Sequence, residues 1–134
     1  MNSNISPNEI AELAANLKKS GQCNCCQAVL TALANESGVP AEKLRQLGAA
    51  FAVGMGTMEN TCGALAAAAM ILGLKTNGIG TMRKAAKLSK AFNEKCGATV
   101  CKELKGIGTG KVLCPCDECV RNAVKAYYEV DQNG

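Results

Sequence analysis

Histidine and tryptophan are absent from the 134 residues, and two tyrosines with two phenylalanines make up the whole aromatic complement. Without imidazole the chain lacks the usual general base for a cysteine nucleophile, which excludes a papain-like or caspase-like hydrolase, and it lacks the commonest metal ligand besides cysteine. Four aromatics offer little to stack on bases. The formal charge of +4 is spread along the chain over 15 basic and 11 acidic residues, so nucleic acid is not expected as a partner. No apolar stretch reaches the ~20 residues needed to cross a bilayer. The opening MNSNISPNEIAEL has no positively charged segment leading into an apolar run. The expectation is a cytoplasmic protein with no membrane partner.

What the chain does have is apolar content, 48% of residues, enough for one core, and residues 1–134 read as a single domain. Ser6-Pro7-Asn8-Glu9 reads as a capping box with proline at the first helical position, followed by Ile10, Leu13, Ala14 and Leu17 at helical spacing until Ser20-Gly21. A second helix is predicted from Cys25, with Cys26, Val29, Leu30 and Leu33 on one face and Ser37-Gly38 as its stop. A third opens at Pro40 and carries Leu44, Leu47 and Phe51. Cys62 to Leu74 has no polar side chain over 13 residues, too short for a membrane and apolar all round, and is expected as the central helix. Thr81 to Cys96 follows, with Ala85, Leu88 and Phe92 inward and Lys84, Lys87 and Lys90 solvated. A short helix over Cys101 to Lys105 and a last one from near Pro115 complete the chain. No segment alternates with period two for long enough to make a strand. The fold expected is all-α, a compact bundle of six or seven short helices around the apolar central one.

Nine cysteines need an explanation: Cys23, Cys25, Cys26, Cys62, Cys96, Cys101, Cys114, Cys116 and Cys119. Their odd number, the absence of a secretory signal and the ample core argue against a disulfide framework and for metal or thiol redox chemistry. Cys25, Cys62, Cys101 and Cys116 each fall in or beside the first turn of a different predicted helix. There the free N–H groups and the positive end of the dipole favour thiolate over thiol. Cys62 and Cys116 are expected to point inward. If the four helix starts converge, they make a four-thiolate site, which suits an iron–sulfur cluster, zinc or Cu(I). Cys114-Pro115-Cys116-Asp117-Glu118-Cys119 overlaps a CxC with a CxxC and reads either as a ligand patch or as a dithiol able to form a disulfide. Cys23 and Cys26 are further possible ligands, with packing as the alternative for Cys26 and Cys96. Met55 and Met58 read as core filling. Three similar turns, Gly54-Met-Gly-Thr57, Gly78-Ile-Gly-Thr81 and Gly106-Ile-Gly-Thr109, read as tight positive-φ turns before a phosphate cradle, since none follows a strand.

The segments Cys25-Cys26-Gln-Ala-Val-Leu30, Gly54-Met-Gly56 with Thr61-Cys62-Gly-Ala-Leu65, Gly97-Ala-Thr-Val-Cys101-Lys-Glu-Leu104, and Cys116 with Val120 and Ala123 resemble, in order and context, a family of redox-active proteins named for its C_GCAxxG_C_C cysteine pattern. The resemblance covers nearly the whole chain. It implies redox activity with an iron–sulfur or other metal centre, and it places the family's four cysteines at Cys25, Cys62, Cys101 and Cys116. The chain departs from the pattern in its alanines at 66 to 69, where relatives tend to carry glycines, and in its five additional cysteines.

The leading expectation is therefore an electron-transfer module with an iron–sulfur cluster on those four cysteines and a redox partner protein of unknown identity. The alternatives are a thiol–disulfide oxidoreductase using Cys116 with Cys119 or Cys114, and a non-enzymatic zinc- or copper-binding protein. A homodimer is possible if the central helix meets its copy across a two-fold axis. No acid–base pair stands beside a cysteine, so any catalysis should be redox.

Overall fold

The computed structural model describes residues 6–52 and 54–132; the first five residues of the opening segment read above lie outside them. Ser6 caps the first helix as expected: its Oγ accepts from the Glu9 N–H at 3.2 Å, and the Glu9 carboxylate accepts from the Ser6 N–H at 2.8 Å. Helix α1 runs Pro7–Lys19. A second capping box, unread in the sequence, starts α2 (Cys25–Ala32), with Asn24 and Gln27 exchanging side-chain and backbone hydrogen bonds. The chain continues through α3 (Ala34–Ser37), α4 (Ala41–Gly48), a 3₁₀ turn (Ala49–Phe51) and a looped turn (Gly54–Met58). It then forms α5 (Gly63–Thr76), α6 (Thr81–Cys96), α7 (Cys101–Lys105) and α8 (Cys116–Gln132). No strand forms among the described residues; one isolated antiparallel bridge joins Thr61 to Val100. The fold is all-α.

The central helix is where the apolar run placed it. Ala64, Leu65, Ala67, Ala68, Ile71 and Leu72 of α5 are buried, and α2, α3, α6 and α8 pack around it. Its small side chains do what small side chains allow, which is close approach. A Cβ at Gly63 would stand 2.4 Å from the Phe51 carbonyl oxygen, so the 3₁₀ turn and the start of α5 touch backbone to backbone. Helix α8 closes the bundle against α1, α6, α5 and α2, burying Val120, Ala123, Val124, Tyr127 and Val130. Each of the fully buried valines, Val120 and Val124, is worth roughly 1.5–3 kcal/mol of transfer free energy. At its far end Tyr127 and Tyr128 both donate to the Glu36 carboxylate, at 3.3 and 3.2 Å, and Lys75 reaches the same carboxylate at 2.6 Å, tying α8 to α3 and α5.

Among the described residues there are eight helices, more than the six or seven expected, because one predicted helix is two. Leu33 leaves helical geometry (φ −97°, ψ 11°), which ends α2 and restarts the chain as the single turn α3, closed by left-handed Gly38. Leu33 stays fully buried, so the break serves packing. Other differences are rotational. The buried face of α1 is Ala11, Ala14 and Ala15, with Leu13 half exposed, because alanines permit closer contact with α8 than leucines would. Leu47 is exposed since α4 is only two turns long and turns its Leu44 face inward. Leu88 and Phe92 of α6 are buried as read; Lys87 and Lys90 are exposed, Lys84 is half-buried. No described helix is long and apolar enough to cross a membrane.

The contact at Gly63 makes a prediction. Gly63→Ala should lose about 1–3 kcal/mol of stability through overpacking against Phe51, despite alanine's better helix propensity. Gly73→Ala, with nothing within 4 Å of its Cβ, should instead gain about 0.5–1 kcal/mol. Urea denaturation of the two variants checks both signs.

Candidate functional site

Four helix starts supply the site. Cys25 is the first residue of α2, Cys101 of α7 and Cys116 of α8, and Cys62 is the N-cap of α5. Two of these starts are bound together through backbone. The Cys62 N–H donates to the Thr99 carbonyl at 2.8 Å and the Cys101 N–H to the Asn60 carbonyl at 3.0 Å, flanking the Thr61–Val100 bridge. Gly54, at φ 57°, lets the preceding loop lie against Cys101, since a Cβ there would stand 2.9 Å from that of Cys101. The start of α2 is pinned separately: the Asn24 amide donates to the Gly48 carbonyl at 3.3 Å and that of Gln27 to the Arg45 carbonyl at 3.0 Å.

One cation, Lys105, touches two of the four sulfurs, Cys101 and Cys116, and acts on Cys25 and Cys62 through its charge. Lys105, one helical turn after Cys101, turns its ammonium to within 3.7 Å of the Cys101 sulfur. Burial works against the charged form of this half-buried lysine, yet a hydrogen bond to the Cys116 thiolate, and the fields of Cys116, Cys101 and Cys25, hold its proton far more tightly than usual. The same ammonium favours the thiolate at Cys62. Cys116 is pulled down to about 5, first by a hydrogen bond from the Cys25 thiol and, against the cost of burial, by Lys105. Cys25 is pushed far up, by that same bond and by burial, so it remains the proton-bearing partner. Cys62 falls to about 7: the Cys119 thiol donates to it, burial opposes this, and the N–H groups of Ala64 and Leu65 favour the anion without closing a full capping hydrogen bond. Cys62 is buried as expected, whereas Cys116 is half-buried and forms the solvent-facing edge of the group.

Three of the additional cysteines form a second knot beside the first. The sulfurs of Cys96, at the end of α6, and of Cys114 and Cys119 all lie within 4.8 Å of one another, all buried. Among the described residues this is the group of three or more ligand atoms compact enough to take one metal ion. Cys96 is drawn down to about 6 by a hydrogen bond from Cys119, against burial and with help from the Asn122 amide, 3.4 Å from its sulfur. Cys114 is pushed up to about 12 chiefly by burial. Cys119 carries its proton strongly, through its bonds to Cys62 and Cys96 and through burial. Cys62 therefore stands between the two groups.

Of the remaining two cysteines, Cys26 feels the field of Cys62 and Cys23 pairs with a cation of its own. Cys26 is fully buried, packed against Gly48 and Gly63, and burial lifts it to about 12. The Cys23 sulfur accepts from the Arg45 guanidinium at 2.9 Å. The contacts of Cys116 are Cys25 and Lys105, and those of Cys119 are Cys62, Cys96 and Cys114, so the CxxC cysteines serve different groups. Met55 is half exposed, and all six glycines of the three similar turns have positive φ, as tight turns require.

The model of the family described as "Putative redox-active protein (C_GCAxxG_C_C)" matches residues 23–130. The chain belongs to this family. A search of curated proteins and one of solved structures found no match. The chain is thus a member of the redox-active C_GCAxxG_C_C family with a buried cysteine cluster whose geometry could hold a metal ion. Sequence reasoning passed over Lys105 and left Cys96 open between a role in a further sulfur group and packing. The lysine had a signal, its i, i+4 spacing from Cys101 on one helix; Cys96 had none, because its neighbours come from residues 114 to 122.

In this family member, held metal-free, the Cys116 thiolate depends on its two neighbours. Cys25→Ala should move the midpoint of the pH-dependent alkylation of Cys116 upward by about one unit or more, and Lys105→Met should move it the same way by less. The stability sign follows. Because Cys116 lies below the ordinary thiol value of 9.0, its contribution is fully present above that pH and is lost as pH falls through about 5. In both variants that loss should be smaller and complete at a higher pH, as measured by thermal melting between pH 4 and pH 9.

Proposed function

We propose that the protein is a redox module that holds an iron–sulfur cluster on Cys25, Cys62, Cys101 and Cys116 and exchanges electrons with a partner protein. The observation that carries this reading is the ammonium of Lys105, which lies 3.7 Å from the Cys101 sulfur, hydrogen-bonds to Cys116 and acts by its charge on Cys25 and Cys62. The donor set fits the group. It is purely sulfur, with no imidazole in the chain, and soft thiolates from well-separated segments suit an iron–sulfur cluster or another thiolate-bound metal such as zinc or Cu(I). When bound, the cluster supplies a one-electron couple whose potential follows its net charge, hydrogen bonding and exposure.

The residues around the four sulfurs support that role in ordinary ways. Lys105 offsets the negative charge that several thiolates bring into a poorly solvated place, and the free N–H groups at the helix starts do the same over a shorter range. Burial of Cys25, Cys62 and Cys101 keeps water from most of the site. Half-buried Cys116 leaves one edge near the surface, and electrons would enter and leave there.

A second reading has its own observation, the pairing of a thiolate at Cys116 with a protonated thiol at Cys25. Such a pair performs thiol–disulfide exchange. The Cys116 thiolate attacks a substrate disulfide and expels one substrate thiolate. Cys25 then gives up its proton and displaces the second, leaving a Cys25–Cys116 disulfide and a substrate reduced by two electrons.

One experiment separates the two. In protein purified without air, iron and acid-labile sulfide accompanied by a broad visible absorption band are the expected result. Colourless, iron-free protein whose Cys116 alkylates rapidly would overturn the cluster reading and put thiol exchange in its place.

A further inference from the structure

The three-sulfur knot of Cys96, Cys114 and Cys119 lies outside the four cysteines assigned above and meets them at one point, the Cys119 thiol that donates to Cys62. We infer that it is a second, mononuclear metal site for a soft d¹⁰ cation, Zn²⁺ or Cu(I), separate from the redox centre. Zinc–sulfur bonds of ~2.3 Å place the thiolates of a tetrahedral site roughly 3.8 Å apart, so three sulfurs already within 4.8 Å of one another need only small side-chain rotations to close on an ion. All three are buried.

The chain holds these three sulfurs with its own scaffold. The Leu113 and Cys114 N–H groups both donate to the Leu104 carbonyl, at 3.0 and 3.1 Å, which fixes the strand of chain carrying Cys114. Pro115 follows with its φ locked, and beyond it α8 begins, so Cys114 and Cys116 are sent to different sulfur groups although one residue separates them. Cys119, three residues into α8, returns to Cys114, its sulfur 3.4 Å from the Cys114 carbonyl oxygen. Cys96 enters from the last turn of α6 and accepts from the Asn122 amide at 3.4 Å. An outer hydrogen bond of that kind is what orients a metal-bound thiolate. The carboxylate of Glu118 adds negative potential at Cys96 and Cys114, which disfavours thiolates standing alone and favours a cation among them. Lys105 stands with the first group, 3.7 Å from the Cys101 sulfur and hydrogen-bonded to Cys116, whereas the leading influences on Cys96 and Cys114 are burial, the knot's own sulfurs, Asn122 and Glu118. Binding releases the thiol protons of the knot.

The test uses the full chain, prepared without air and loaded with zinc chloride alone, with zinc, iron and sulfide measured on each sample. The Cys96→Ala/Cys114→Ala double variant should bind about one zinc per chain fewer than the unmutated protein and keep the same iron and sulfide. Cys26→Ala, which removes a packing cysteine, should lose no zinc. A variant that fails to fold is bypassed in the unmutated chain. There, zinc should protect Cys96, Cys114 and Cys119 from alkylation, read by peptide mass spectrometry, and leave the labelling of Cys23 unchanged. Undiminished zinc in the double variant, or no protection of the three thiols, overturns the inference. So does loss of iron and sulfide in step with zinc, since the seven sulfurs would then hold one larger cluster. Iron-free protein in which zinc still follows the triad leaves this site standing and sinks only the cluster reading.

Discussion

The ammonium of Lys105, beside the Cys101 sulfur and hydrogen-bonded to the Cys116 thiolate, is the interaction on which the rest of the site depends. Taking a thiolate out of water is costly unless something nearby replaces the lost solvation. The replacement here is Lys105, carried on a five-residue helix whose only other buried side chains are Cys101 and Leu104. The ammonium keeps its proton while the sulfur groups around it divide theirs, Cys116 and Cys62 toward thiolate, Cys25 and Cys119 toward thiol. Such an alternation lets a dense sulfur cluster exist in a folded protein without accumulating the full charge of every cysteine.

The scaffold serves this arrangement more than it serves its own regularity. An all-α protein has little use for a strand pairing, yet one bridge, Thr61 to Val100, survives between the starts of α5 and α7. Its flanking hydrogen bonds position Cys62 and Cys101 through backbone alone. Close approach at Gly54 and Gly63 then draws the looped turn and the 3₁₀ turn onto the same place. The alanines of α5 fit this economy. They give up buried area per residue in exchange for short distances between helices, and short distances bring sulfurs from four segments together.

Much of this was legible in the sequence, and the reasons are specific. Capping at Ser6, the apolar stretch after Cys62, the bounds of α6 and α7, and the helix-start positions of four cysteines all follow from local chemistry, which a linear reading captures. What escaped was decided elsewhere in the chain. The break at Leu33 has no glycine or proline to announce it, because a buried leucine is held there by its neighbours. The role of Cys96 depends on Cys114, Cys119 and Asn122, none of which lies within fifteen residues of it. Rotation of α1 toward its alanine face was hidden because leucine outranks alanine in any hydrophobic count, while the partner helix demanded the smaller side chains. The CxxC spacing misled for a related reason: with Pro115 fixing the turn and α8 beginning at once, Cys116 and Cys119 face different groups.

The most direct test of the central claim is to measure iron in protein purified without air after replacing cysteines one at a time by serine. The account predicts that Cys25→Ser, Cys62→Ser, Cys101→Ser and Cys116→Ser each lower the iron content sharply while Cys23→Ser leaves it unchanged. Iron that persists through all four replacements, or that falls only when Cys96, Cys114 or Cys119 is replaced, would contradict it.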